Sequence, residues 1–195
     1  MKLILILILL TLNFYSNAEG IEEPKPLYSF QLICKPKSYQ ARLISNTGYN
    51  LINSGFIHRA YYEFLEASQI DSTYCDAYSM MAYCFLYDSE LDSSLKYLNR
   101  SIEINPNNPN AYIIKGYTLL KSKDTSEAYK MFEKVMNHSS SLIDGYYGVA
   151  LIKYYKGQKS EAKNVIETYL AKYEEDTDLA NLTKMKKLRK LCNKS

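Results

Sequence analysis

The chain has 195 residues, 47% of them hydrophobic, which is apolar content enough for one domain with a sizeable core and excludes a disordered chain. Its 24 basic and 21 acidic side chains leave a formal charge of +3. That mixed balance excludes the concentrated basic field that nucleic-acid binding needs, so no nucleic acid is expected as a partner.

The opening "MKLILILILLTLNFYSNAEG" places Lys2 ahead of an apolar run from Leu3 to Leu12, followed by small residues at Ser16 and Ala18. This pattern predicts an export signal over residues 1–18, cleaved before Glu19, and a periplasmic or secreted product. No integral membrane span is expected once the signal is removed, whereas an uncleaved signal would act as an anchor. Residues 19–40, with Pro24, Pro26 and Pro36, read as an irregular lead-in.

From residue 41 onward the dominant signal is self-similarity. Ala60, Ser94, Ala128 and Ala162 are small residues 34 apart, and the same step relates Gly48, Ala82, Gly116 and Ala150. Ile44, Tyr78, Tyr112 and Tyr146 form a third track, and Phe64, Leu98, Phe132 and Ile166 a bulky fourth. Within each unit two blocks of helical three-four spacing flank a break at Gly55, Asp88-Ser89, Lys123-Asp124 or Gly157. Each unit is therefore expected to be two antiparallel helices, stable only when stacked on its neighbours. "SIEINPNNPNAY" is the clearest junction: Pro106 stops one helix, Asn108 caps the next, and Pro109 fits its first turn. Residues 175–195 supply a stripe at Leu179, Leu182, Met185, Leu188 and Cys192 with lysines opposite, which reads as a C-terminal capping helix.

At these residues the chain resembles the tetratricopeptide repeat family, over residues 41–74, 75–108, 109–142 and 143–174. The resemblance implies an all-α fold, a right-handed α-solenoid of helix-turn-helix 34-residue repeats closed by the capping helix. Departures are visible: Tyr stands for the usual Trp, Lys153 occupies an apolar position, and the terminal proline survives only as Pro106.

The resemblance also implies a concave groove lined by the first helix of each unit. In this register the ninth position holds Tyr49, Tyr83, Tyr117 and Leu151, read as a ladder exposed to the groove, with Asn53, Leu86, Tyr87, Leu120, Lys121, Tyr154 and Tyr155 around it. Tyr78, Tyr112 and Tyr146 are read as core. Such a groove suits a protein or peptide partner with hydrophobic anchors. Chaperone-binding members of the family clamp a terminal carboxylate with basic and Asn residues; the corresponding places here hold Ser45, Tyr49, Met80, Asn110 and Ile114, so that clamp is not expected.

No nucleophile with a base, paired carboxylates, metal cluster or phosphate-binding glycine loop occurs, so the expected class is a non-catalytic interaction scaffold without cofactor or metal. The alternative is a self-associating homo-oligomer of an envelope or secreted complex. His58 and His138 lie away from any cysteine cluster, and no CxxC is present. Cys75 and Cys84 share a helix at about 13 Å, too far apart for a bond between them. Cys34, in the lead-in, is free to pair with either Cys75 or Cys84, or to remain a thiol.

Overall fold

The computed structural model describes residues 33–138, 143–175 and 179–193. The expected signal over residues 1–18 and the lead-in before Ile33 lie outside the described residues. Among the described residues every regular element is a helix: α1 (Tyr39–Asn53), α2 (Ile57–Ile70), α3 (Cys75–Tyr87), α4 (Leu91–Ile104), α5 (Pro109–Lys121), α6 (Thr125–His138), α7 (Ile143–Tyr155), α8 (Lys159–Tyr173) and α9 (Leu179–Cys192). The second helices start at residues 57, 91, 125 and 159, a constant step of 34, so this is an all-α repeat fold in the register of the sequence. The chain forms two compact units, one within Pro26–Gly145 and one within Tyr146–Ser195.

In the first unit α1 packs on α2, α3 on α4 and α5 on α6, while α3 and α5 also lie side by side. The small and bulky tracks explain how closely the pairs approach. A Cβ built on Gly48 would stand 2.8 Å from the Phe64 ring, and one on Gly116 would stand 2.7 Å from Phe132. Only the missing side chain lets these rings seat against the facing helix. Ala60, Ser94 and Ala128 are fully buried, as are Phe64, Leu98 and Phe132. A further core cluster joins Ala41, Ala67, Tyr74 and Ala77, with Cys34 and Ile44 packed against it.

The turn inside each repeat follows one rule. Gly55, Ser89, Lys123 and Gly157, again 34 apart, have φ of 81°, 65°, 69° and 76°. Two repeats meet this left-handed requirement with glycine, and two hold a residue whose Cβ resists it. Between repeats the junction around Asn108 has the expected caps: its side chain accepts from the Asn110 amide at 3.0 Å and Pro109 opens α5. Ser38 caps α1, which therefore begins two residues before the expected boundary at 41.

In the second unit α9 packs on α8. Its buried seam runs through Asn181, Met185, Leu188 and Cys192, whereas Leu179, expected on that stripe, is 79% exposed. The correction has a helical cause: steps of four, three and four from Asn181 keep one face, and Leu179 lies half a turn away from it. Outside the seam, Lys186 pairs with Glu174 at 2.5 Å and Arg189 with Glu167 at 3.5 Å. Lys153, the departure within α7, reaches Glu161 at 2.6 Å, so its charge is matched within its own repeat.

Candidate functional site

A buried, hydrogen-bonded polar cluster in the first unit is built on the second position of the first helices. Asp76, Asn110 and Asp144 are 34 residues apart, and all three are buried. A buried carboxylate persists only with partners, and each here has them. Asp76 Oδ2 accepts the backbone N–H groups of Ile33 and Cys34, both at 2.8 Å. Its Oδ1 accepts from Asn108 Nδ2 at 3.2 Å and Asn110 Nδ2 at 3.3 Å. Asp144 Oδ1 accepts from the Tyr117 hydroxyl at 2.8 Å.

Residues 33–37 of the lead-in are thus laid along the start of α3. At their far end the Lys37 amide donates to Asp71 Oδ2 at 2.6 Å. Cys34 is joined to Cys75, the first residue of α3, by a disulfide with Cα atoms 5.8 Å apart. Of the two pairings open to Cys34, the structure holds the one with Cys75, and Cys84 and Cys192 are buried thiols. Both bridge sulfurs accept from amide side chains, Cys34 Sγ from Asn105 at 3.4 Å and Cys75 Sγ from Asn108 at 3.1 Å.

Electrostatics separates the two aspartates. Burial pushes the Asp76 carboxyl above its ordinary value, against the opposing pull of the N–H bonds from Cys34, Asn110, Ile33 and Asn108. Burial acts upward on Asp71 too, but bonds from Thr73 and Lys37 outweigh it, and this carboxyl sits below its ordinary value. The Cys84 thiol is pushed up to about 12, chiefly by burial, which makes it a structural rather than a reactive cysteine. Cys34, Cys75 and Asp76 bring two sulfurs and a carboxylate oxygen within 4.8 Å of one another, but sulfurs joined in a disulfide are not thiolate ligands. His58, exposed, lies 3.3 Å from Asp88.

The residues expected to line a groove fall into three groups. Asn53 and Tyr87 are exposed, Tyr87 by 62%. Tyr49, Tyr83, Lys121, Tyr154 and Tyr155 are half-buried, with the last two rings 6.1 Å apart. Leu86, Leu120, Tyr117 and Leu151 are buried. The exposed ladder is therefore corrected at its lower rungs: Tyr117 is 0% exposed because its ring packs edge-on against Phe132 at 4.9 Å while its hydroxyl is bound by Asp144. Tyr49 packs in the same way on Phe64 at 5.2 Å but keeps an exposed side. Among the tyrosines read as core, Tyr112 is buried with its hydroxyl on the Pro106 carbonyl, whereas Tyr78 and Tyr146 are half-buried. Ser45, Met80, Asn110 and Ile114, at the carboxylate-clamp positions, are all buried. Asp71, Asp76 and Asp144 escaped the sequence reading, although the 34-residue recurrence of Asp76, Asn110 and Asp144 was there to find.

Comparison with known proteins agrees with this architecture. Residues 97–130 match a tetratricopeptide repeat family model. A TPR repeat-containing protein of Methanocaldococcus jannaschii, MJ1428, is 30% identical over 142 residues, covering 70% of this chain and 25% of that one. The chain thus spans about a quarter of the length of that relative. The thermophilic TPR protein TTC0263 of Thermus thermophilus superposes with a TM-score of 0.65 at 14% identity, covering 74% of this chain and 80% of that one. The first TPR of Spaghetti (RPAP3), solved with the HSP90 peptide SRMEEVD, gives 0.57 at 15% identity over 63% of this chain and 97% of that one. The chain matches the tetratricopeptide repeat over residues 97–130 and has the all-α repeat fold of these proteins.

Proposed function

We propose that the chain is an exported, non-catalytic scaffold that docks a protein or peptide on the face formed by its first helices. Tetratricopeptide-repeat proteins are generally interaction scaffolds, and a solved neighbour was captured with a peptide bound. The observation that carries the reading is Asp76: a buried carboxylate that accepts two successive main-chain N–H groups is a device for holding extended polypeptide. Beside it in register stand the half-buried rings of Tyr49 and Tyr83, which offer apolar contact at low conformational cost. Export is supported by the opening sequence and by the Cys34–Cys75 disulfide, a bond that persists in oxidising compartments.

The test is to capture partners with the chain and with Tyr83→Ala. Retention of the partner is expected to fall several-fold more than the fold is weakened, as read by melting temperature. Equal loss of both would remove this face from the account.

A second reading is self-association, favoured by the exposed Tyr39, Leu43, Phe56 and Tyr62 of the first repeat. Light scattering separates the two, since a mass independent of concentration contradicts self-assembly.

A further inference from the structure

We infer that Asp76, Asn108 and Asn110, with Asp71 alongside, form a main-chain reading site that this chain keeps occupied with its own residues 33–37 under a reducible latch, the Cys34–Cys75 disulfide. The inference rests on the docking face proposed above and names what that face takes: an extended segment with two successive free N–H groups and a lysine a few residues on.

The geometry has the marks of ligand binding rather than of chain folding. Residues 33–37 form no regular element, yet their amides at positions 33, 34 and 37 all donate to carboxylates of the repeats. The two acceptors stand at either end of the segment, Asp76 under Ile33 and Cys34, and Asp71 under Lys37. Lys37 also adds a favourable charge at Asp71. Asn108 and Asn110 hold Asp76 from behind, on its other oxygen, so the oxygen that reads the main chain is fixed in place before anything binds.

A related junction of the same molecule gives its aspartate a different partner. Two repeat junctions share one register: Tyr117 lies 27 residues before Asp144, as Tyr49 lies 27 before Asp76. At the later junction the tyrosine hydroxyl donates to the aspartate. Release of residues 33–37 leaves Asp76 with the side-chain amides of Asn108 and Asn110, so the buried carboxylate is not stranded while the site is vacant.

The latch is chemically accessible. Cys34 is half-buried and Cys75 fully buried, so a dithiol reductant attacks Cys34 and displaces Cys75 as the leaving thiolate. That thiolate departs at the first residue of α3, where the helix N-terminus and the Asn108 amide stabilise negative charge. The reductant's second thiol then resolves the mixed disulfide. Overall the bridge takes up two electrons and two protons to give two thiols, and the dithiol becomes a disulfide. The segment is then held by hydrogen bonds alone and exchanges with a competing segment.

Two measurements on the full chain test this without any partner. In the first, amide hydrogen exchange is followed by NMR before and after reduction with dithiothreitol. Exchange at Ile33 and Cys34 is expected to quicken by about tenfold or more while the amides inside α3 and α5 keep their protection. Unchanged exchange at residues 33 and 34, or equal loss of protection throughout α3, overturns the latch. In the second, the Cys34→Pro chain, which lacks both the bridge and one N–H donor, is titrated with a labelled hexapeptide, Ile-Ser-Lys-Pro-Lys-Ser. Binding is expected there, with an affinity about tenfold lower when Asp76→Asn is added, and none to the oxidised wild-type chain. A Cys34→Pro chain that keeps its helical circular dichroism and does not bind the peptide overturns the site. Partner capture can fail while both measurements succeed, and the reverse, so the two claims fall separately.

Discussion

The first and third repeats place a tyrosine at the same register and give it different fates. Tyr49 and Tyr117 each meet a phenylalanine edge-on, at 5.2 and 4.9 Å, with nearly equal interplanar angles of 74° and 75°. Each phenylalanine in turn sits over a glycine, Gly48 or Gly116. Up to this point the repeats are copies. They part at the aspartate: Asp144 accepts from the Tyr117 hydroxyl, whereas Asp76, the equivalent aspartate, carries the amides of Ile33 and Cys34. A side chain's role in a repeat protein is thus set by what the next repeat and the lead-in supply as much as by its own position.

If the repeats are copies below the hydroxyl, removing the ring beneath it should cost the same in both. Phe64→Ala and Phe132→Ala are each expected to lower stability by about 3–5 kcal/mol, since both rings are fully buried against a helix that cannot close on the cavity. Chemical denaturation of the two variants checks this. A large difference between them would break the equivalence at its base. A smaller effect sharpens it at the turns. Ser89→Gly and Lys123→Gly are expected to raise stability by about 1 kcal/mol each, because they give the second and third repeats the residue that the left-handed turn favours and that the first repeat already has at Gly55. Thermal melts that show a loss would contradict this account of the turn.

The repeat architecture was legible because it rests on side-chain size. A small residue every 34 positions and a bulky one four further on can be read without knowing any partner, and Ala60, Ser94, Ala128 and Ala162 are all fully buried as that reading requires. Lys153 looked like a breakdown of the fourth repeat and is a matched ion pair. The candidate site was less legible for a physical reason. Aromatic residues make docking surfaces only where they stay exposed, and Tyr117 is a ring that the core absorbs. Asp76 carries no apolar signal, and its burial depends on amides that come to it from the lead-in and from Asn108 and Asn110. Composition and spacing carry no trace of such a long-range match except the recurrence of Asp76, Asn110 and Asp144. Likewise Leu179 fits the apolar stripe in pattern, and only the seam through Asn181, Met185 and Leu188 decides which face of α9 is covered.

The contrast between the repeats can be measured directly by two double-mutant cycles in equilibrium unfolding, Tyr117→Phe with Asp144→Asn and Tyr49→Phe with Asp76→Asn. A hydrogen bond between a buried hydroxyl and a carboxyl is expected to give a coupling of about 1–3 kcal/mol in the third repeat. In the first repeat of the oxidised chain, where Asp76 holds the lead-in, the coupling should be less than half as large. Equal coupling in the two cycles would mean that Asp76 serves its repeat as Asp144 does, and would contradict the assignment of Asp76 to the binding of main chain.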